Sequence, residues 1–203
     1  INLPERRDRR RDMERELAGV GLAGDPRVSF FPAVRPADAG DFTSIGAHGV
    51  YRSQHAILRE AAEANQSVLI LEDDCDFTPA ARGYDFGEGW DIFYGGYYAK
   101  DPANLAASDI IGAHMMGFSA AGARLVCAYL DSLRYEGVHP PIDAAYIWFR
   151  RTHPEVATRF AIPPLGIQRS SRSDIVDPRF YDRLPLLAPA ASFARRLLRQ
   201  MRR

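Results

Sequence analysis

Residues 67–77 read SVLILEDDCDF, a short apolar run that passes directly into Glu72, Asp73, Asp74 and Asp76, interrupted only by Cys75. A continuous Val/Ile/Leu run is the mark of a strand buried on both faces, as in a parallel sheet. Open α/β sheets bind ligands in the crevice beyond the carboxyl ends of their strands, which is where these acids fall. Carboxylates so placed suit a hard divalent cation such as Mg²⁺ or Mn²⁺. Such ions take oxygen ligands, keep several waters, and are commonly held by one or two carboxylates together with substrate phosphates. A nucleotide-type substrate is therefore the first expectation. The competing reading is an acidic turn that merely solvates a strand end.

Outward from this stretch, the pattern alternates between strand and helix. Ile1 to Leu3 resembles a strand end, and residues 4–19 place Met13 and Leu17 on one helical stripe continued by Val20, with Gly19 and Gly21 as the stop. Residues 28–31 are expected to form a second short strand, followed by a loop rich in proline and glycine to about Ser44. Residues 46–64 predict a helix whose buried face includes Val50, Ile57, Leu58, Ala61 and Ala62. A strand over 90–94 is expected to end at Gly95 and Gly96, on the ligand side, and another lies within 110–118. Ser119 is placed to cap a helix reaching about Tyr135; a shorter helix over 143–151 and a strand over 158–162 follow. This alternation predicts an α/β sandwich on a mostly parallel central sheet flanked by helices.

With 203 residues, one substantial core is expected, giving a single domain over 1–184 and a tail over 185–203. Hydrophobic residues at 46% and charged residues at 26% are ordinary for globular proteins and argue against disorder. A formal net charge of zero gives no basis for nucleic-acid binding. Cys75 and Cys127 show no CxxC spacing and no partner cluster in the sequence, so neither a zinc site nor a disulfide framework is expected, and a reducing, cytoplasmic location fits best. No membrane-spanning run or signal-peptide pattern is visible, and the chain opens at Ile1 without a methionine, which leaves room for an upstream piece.

Several separated motifs together resemble glycosyltransferase family 25, which includes bacterial lipooligosaccharide galactosyltransferases and animal collagen galactosyltransferases. They are INLPERRDRR (1–10), SIGAHGVYRSQHAILREA (44–61), VLILEDDCDF (68–77), WDIFYGG (90–96), PIDAAY (141–146) and QRSSRSDI (168–175). The resemblance implies a GT-A-like nucleotide-diphosphosugar transferase fold. It also implies inverting transfer of a hexose, galactose being the commonest, from a UDP-sugar to a glycan or glycolipid acceptor of the cell envelope such as lipooligosaccharide. A divalent cofactor, Mn²⁺ or Mg²⁺, would be held by a DxD-like motif. The equivalent here is Glu72-Asp73-Asp74, with Asp74 as the direct ligand, Glu72 near the ribose or a metal-bound water and Asp73 beside the donor. Asp74-Cys75-Asp76 remains an alternative that makes Asp76 a ligand.

Breaking the bond from the anomeric carbon to diphosphate develops negative charge on the leaving group, which a metal neutralises. Single-displacement inversion further requires a base opposite that group. Asp143 in PIDAAY is the expected base, although an Asp at a helix start also reads as an N-cap. The strand end and helix start at residues 1–10 would set Asn2 and Leu3 by the nucleotide base and bring Arg6 and Arg9 to its phosphates. Gln168, Ser173 and Asp174 complete the expected donor contacts. Gln54 departs from the pattern, standing where family members carry histidine; it retains hydrogen-bonding capacity but cannot become cationic. His55, about 100° further around the helix, does not replace it. His114 reads as a core histidine in an apolar strand.

The end of the tail, ASFARRLLRQMRR over 191–203, mixes apolar residues with five arginines and no acid. It is expected either to make peripheral contact with an anionic membrane or to be a plain exposed terminus. Two other functions compete with transfer. A catalytically inactive, sugar-binding or adhesion-type relative would account for Gln54, whereas nucleotidyl transfer would require a glycine-rich phosphate loop that INLPERRDRR lacks.

Overall fold

The structure, a computed structural model, describes residues 1–169. The expected domain boundary at 184, the basic tail, Ser173 and Asp174 lie outside the described residues. The elements, in chain order, are α1 (Arg7–Gly19), α2 (Ile45–Ala64), β1 (Val68–Leu71), β2 (Cys75–Phe77), β3 (Ile92–Ala99), β4 (Ile110–Phe118), α3 (Ala120–Asp131), α4 (Ile142–Thr152), β5 (Thr158–Phe160) and β6 (Gly166–Gln168). Together they make a mixed α/β domain.

The sheet is not the mostly parallel one expected. Its order is β1-β4-β3-β5; β4 runs antiparallel to both β1 and β3, and only β3 and β5 are parallel. The reason lies between β3 and β4. Parallel neighbours need a crossover of a dozen or more residues, usually helical. Residues 100–109 contain no helix, so the chain returns beside β3 in the opposite direction. β2 and β6 pair separately as a short antiparallel ribbon.

β3 also continues past the glycines expected to end it. The strand reaches Ala99 through register shifts at Tyr94/Gly96 and Gly96/Tyr98. A Cβ on Gly95 would lie 2.7 Å from Met115 Cγ, and one on Gly96 would lie 2.5 Å from His114 Nε2. These glycines therefore permit close side-chain approach inside a strand. Residues 28–31 form no regular strand. Only Asn2 bridges to Pro32, in parallel, and a groove of about 770 Å³ opens between this segment and β1.

The sheet's period-two alternation divides the interior. Ile92, Tyr94 and Met116 join a large cluster with Leu58, Val126 and Tyr146 from the three helices α2, α3 and α4. Phe93 and Met115 face the other way, meeting Met13 and Leu17 of α1 and Leu165. The helices start and stop as their sequences direct. Ser44 Oγ accepts from Ala47 N at 3.0 Å at the start of α2, which ends at Asn65 in the left-handed region, φ 52°. Ser119 Oγ accepts from Gly122 N at 2.9 Å to begin α3, which ends at Asp131 rather than near Tyr135.

Gly122 packs α3 against the start of β3. A Cβ there would lie 2.1 Å from the Asp91 carbonyl oxygen, the atom that accepts from Ser119 N. Gly122→Ala should lower unfolding free energy by about 2–3 kcal/mol in urea titration. The control Gly19→Ala, with nothing within 4 Å of its added Cβ, should leave stability unchanged or slightly raised.

Candidate functional site

The acids following β1 are gathered by three separate parts of the chain. Asp73, 9% exposed, accepts from Asn2 Nδ2 at 2.7 Å and from Arg9 Nη1 at 2.8 Å. The same Arg9 atom stands 3.6 Å from Asp74 Oδ2, which also accepts from Gln168 Nε2 at 3.4 Å. Asn2 is positioned by its backbone, donating to Phe31 O and accepting from Ala33 N. Arg9 comes from the buried face of α1, and Gln168 from β6 paired to β2. Of the expected donor-binding residues, Asn2, Arg9, Glu72, Asp73 and Gln168 thus converge on the strand end.

Arg6 meets this cluster through its backbone carbonyl, which accepts from Asn2 Nδ2 at 3.2 Å. Arg6 clasps Asp8 through Nε and Nη2, at 3.1 and 3.0 Å, and Leu3 contributes its carbonyl to the turn that leads into α1. Asp76 lies in β2, where Arg169 pairs with it and also meets Asp12 at 3.2 Å. A cation at Asp76 would compete with that guanidinium. Asp74 is different: it is 5% exposed, and its Oδ1 has no hydrogen-bond partner among the described residues. A buried, unpartnered carboxylate oxygen beside a second acid is a donor atom suited to a hard cation.

β4 joins this cluster to the second half of the site. Gly112 N donates to Asp143 Oδ2 at 3.1 Å, Ala113 O accepts from Gln54 Nε2 at 3.3 Å, and His114 O accepts from Glu72 N at 3.0 Å. Three consecutive residues of one strand therefore line up Asp143, Gln54 and Glu72. Gln54 is fully buried; it also donates to Glu72 Oε1 at 3.0 Å and accepts from Tyr146 OH at 2.9 Å. These contacts fix which end of its amide is which.

Asp143 does not cap α4: that position belongs to Pro141. Its Oδ1 accepts from Ala144 N at 2.9 Å while Oδ2 reaches β4, so the carboxylate is held by two backbone donors and remains partly exposed. His114 is fully buried, with Nε2 3.2 Å from Gly166 O and burial holding its pKa below the usual value, in keeping with a core histidine.

Electrostatics separate the carboxylates. Glu72 keeps a little accessible surface but is densely surrounded. Desolvation, reinforced by Asp74, pushes its carboxyl up to about 8 against the opposing influence of the Gln54 N–H. Desolvation also raises Asp74, partly offset by Arg9. Tyr146, Arg169 and Gly112 are the contributors that sequence reading did not assign. Tyr146 and Arg169 sit inside quoted motifs, but nothing in their spacing reveals their partners.

No protein-family model matches this chain, and no curated protein matches it.

Two measurements check this geometry. Removing Arg9 would leave Asp73 buried without its cation, so Arg9→Ala should cost about 3 kcal/mol in denaturant unfolding. The second concerns pH. Folded Glu72 keeps its proton up to about 8, whereas the unfolded group loses it near 4.5. Between those values the unfolded state binds fewer protons, so stability falls as pH rises. With divalent ions chelated, melting temperature should decline across that window, and Glu72→Gln should flatten the decline.

Proposed function

We propose that this chain is a metal-dependent, inverting glycosyltransferase with a GT-A-like fold, moving a hexose from a UDP-sugar to a glycan or glycolipid acceptor. The observation that carries this reading is the buried acid cluster after β1, in which Asp74 Oδ1 is left without a partner among the described residues. The mixed α/β domain and the order of the motifs from INLPERRDRR to QRSSRSDI support it further.

The chain's own groups divide the work. Asp74 would hold a Mn²⁺ or Mg²⁺ ion, with Asp76 available only after release from Arg169. When bound, the ion supplies positive charge against the diphosphate leaving group. Asn2 and Arg9 act through Asp73: they fix the acidic turn, and Arg9 places positive charge beside Asp74. Gln168 orients Asp74 from the other side.

Asp143 is the base. The acceptor hydroxyl oxygen attacks the anomeric carbon as the bond to diphosphate breaks, the bonding pair leaves with the diphosphate, and the hydroxyl proton passes to the Asp143 carboxylate. Backbone N–H groups of Gly112 and Ala144 orient that carboxylate without neutralising it. Burial raises the Glu72 carboxyl in the metal-free chain, so this acid is more readily protonated than an exposed glutamate.

The test is hydrolysis of a UDP-sugar panel with and without Mn²⁺ or Mg²⁺. One donor should turn over only with metal. Asp74→Asn should abolish the metal dependence together with turnover, while Asp143→Asn should lower turnover by about 10²–10⁴-fold and leave UDP binding unchanged. Donor binding without turnover in the unsubstituted chain would favour a sugar-binding relative that does no chemistry.

A further inference from the structure

Gln54 and His55 are neighbours on α2 but belong to different surroundings. Gln54 turns inward to Glu72 and Tyr146, whereas His55 faces α3. There His55 Nε2 lies 3.1 Å from Asp131 Oδ1, and Cys127 Sγ lies 3.9 Å from Asp131 Oδ2. One ligand atom from each of the three residues falls within 4.8 Å of the other two. Cys127 and Asp131 share a face of α3 because they are one helical turn apart.

These separations suit a small tetrahedral ion. Zn²⁺ binds sulfur at about 2.3 Å and nitrogen or oxygen at about 2.0–2.2 Å, which sets neighbouring ligand atoms roughly 3.3–3.6 Å apart. Side-chain movements of about an ångström would bring the three atoms to those spacings. The donor set also selects the metal: thiolate, imidazole and carboxylate together favour Zn²⁺ over Mg²⁺ or Mn²⁺, which prefer oxygen alone.

A guanidinium now holds the place of the ion's charge. Arg59 Nη2 stands 2.9 Å from Asp131 Oδ1 and 3.5 Å from His55 Nε2. Its side chain is 53% exposed, so it can swing into solvent without opening the core.

We propose that His55, Cys127 and Asp131 form a zinc site that clamps α2 to α3, with the fourth position taken by water and Arg59 as a displaceable cation. On binding, the Cys127 thiol gives up its proton to solvent and the resulting thiolate forms the metal–sulfur bond; no electron transfer occurs. The site is independent of the acid cluster after β1 and does not rest on the transferase reading.

Cobalt is the probe, because tetrahedral Co²⁺ with a thiolate ligand shows intense visible bands and a sulfur-to-metal charge-transfer band. An oxygen-only site such as the one at Asp74 shows neither. The full chain, freed of metal by chelation, should take up one Co²⁺ with both features, and Zn²⁺ should displace it. Cys127→Ser should remove the charge-transfer band and Cys75→Ser should keep it. Arg59→Ala, at an exposed position, should tighten Co²⁺ binding by about tenfold. Zn²⁺ at about a hundredfold excess over its dissociation constant should raise the melting temperature by about 5–10 °C. Absence of a thiolate band in the unsubstituted chain, or a band that survives Cys127→Ser, would overturn the proposal.

Discussion

Asp73 is a carboxylate buried at the end of a strand, and the arrangement of everything near it follows from the need to neutralise it. Removing such a group from water costs several kcal/mol even after the surroundings relax, so it survives only with a nearby cation and well-placed donors. Arg9 supplies the cation and Asn2 the donor. Arg9 in turn fixes where α1 lies, because its guanidinium must arrive from the buried face of the helix that also carries Met13 and Leu17. Asn2 fixes the path of the first residues, held by its backbone to residues 31 and 33. One buried ion pair thereby determines how α1, the chain start and the acidic turn meet.

The same strand end holds carboxylates in different electrostatic conditions, and the difference comes from their partners. Asp73 faces a guanidinium. Asp74 shares that cation at a longer distance and is raised by burial. Glu72 receives an amide N–H instead of a charge and is raised furthest, to about 8. Adjacent acids in a sequence therefore do not form one uniform negative patch. Here one acid is paired with a guanidinium and the two beside it are raised by burial.

The helices were legible because their signals are local and periodic: Met13 and Leu17 give the buried stripe of α1, and Ser119 caps α3 where its hydroxyl predicts. Strand direction was not legible, since it depends on how the chain returns after β3, and the helix-free stretch over 100–109 sends β4 back antiparallel. Gly95 and Gly96 misled for a related reason. As local signals they read as a stop, but their role is to admit Met115 and His114, contacts across the sheet. The strands β2 and β6 have three residues each, too few for alternation to register. In the site, Asn2, Arg9 and Gln168 were found through their motifs, whereas the Arg169 pairing with Asp76 depends on the β2–β6 ribbon and carries no local mark.

Residue 54 shows how a neutral side chain can tie several parts of the site together without adding charge. Its neutral amide satisfies three partners at once: Glu72 Oε1, Ala113 O and Tyr146 OH. A histidine there could become cationic, and a positive charge about 3 Å from the Glu72 carboxyl would favour its ionised form. The pair would then bring a buried cation and a buried anion into the core between β4 and α4, at a large desolvation cost. With glutamine the hydrogen bonds are kept and no cation is added, so the Glu72 carboxyl stays raised by its burial, with only the Gln54 N–H pulling the other way from this residue, while Asp143 is anchored two residues further back along β4. Gln54 thus joins α2 to β4, Glu72 and α4 while withholding a charge that would draw Glu72 toward its anionic form.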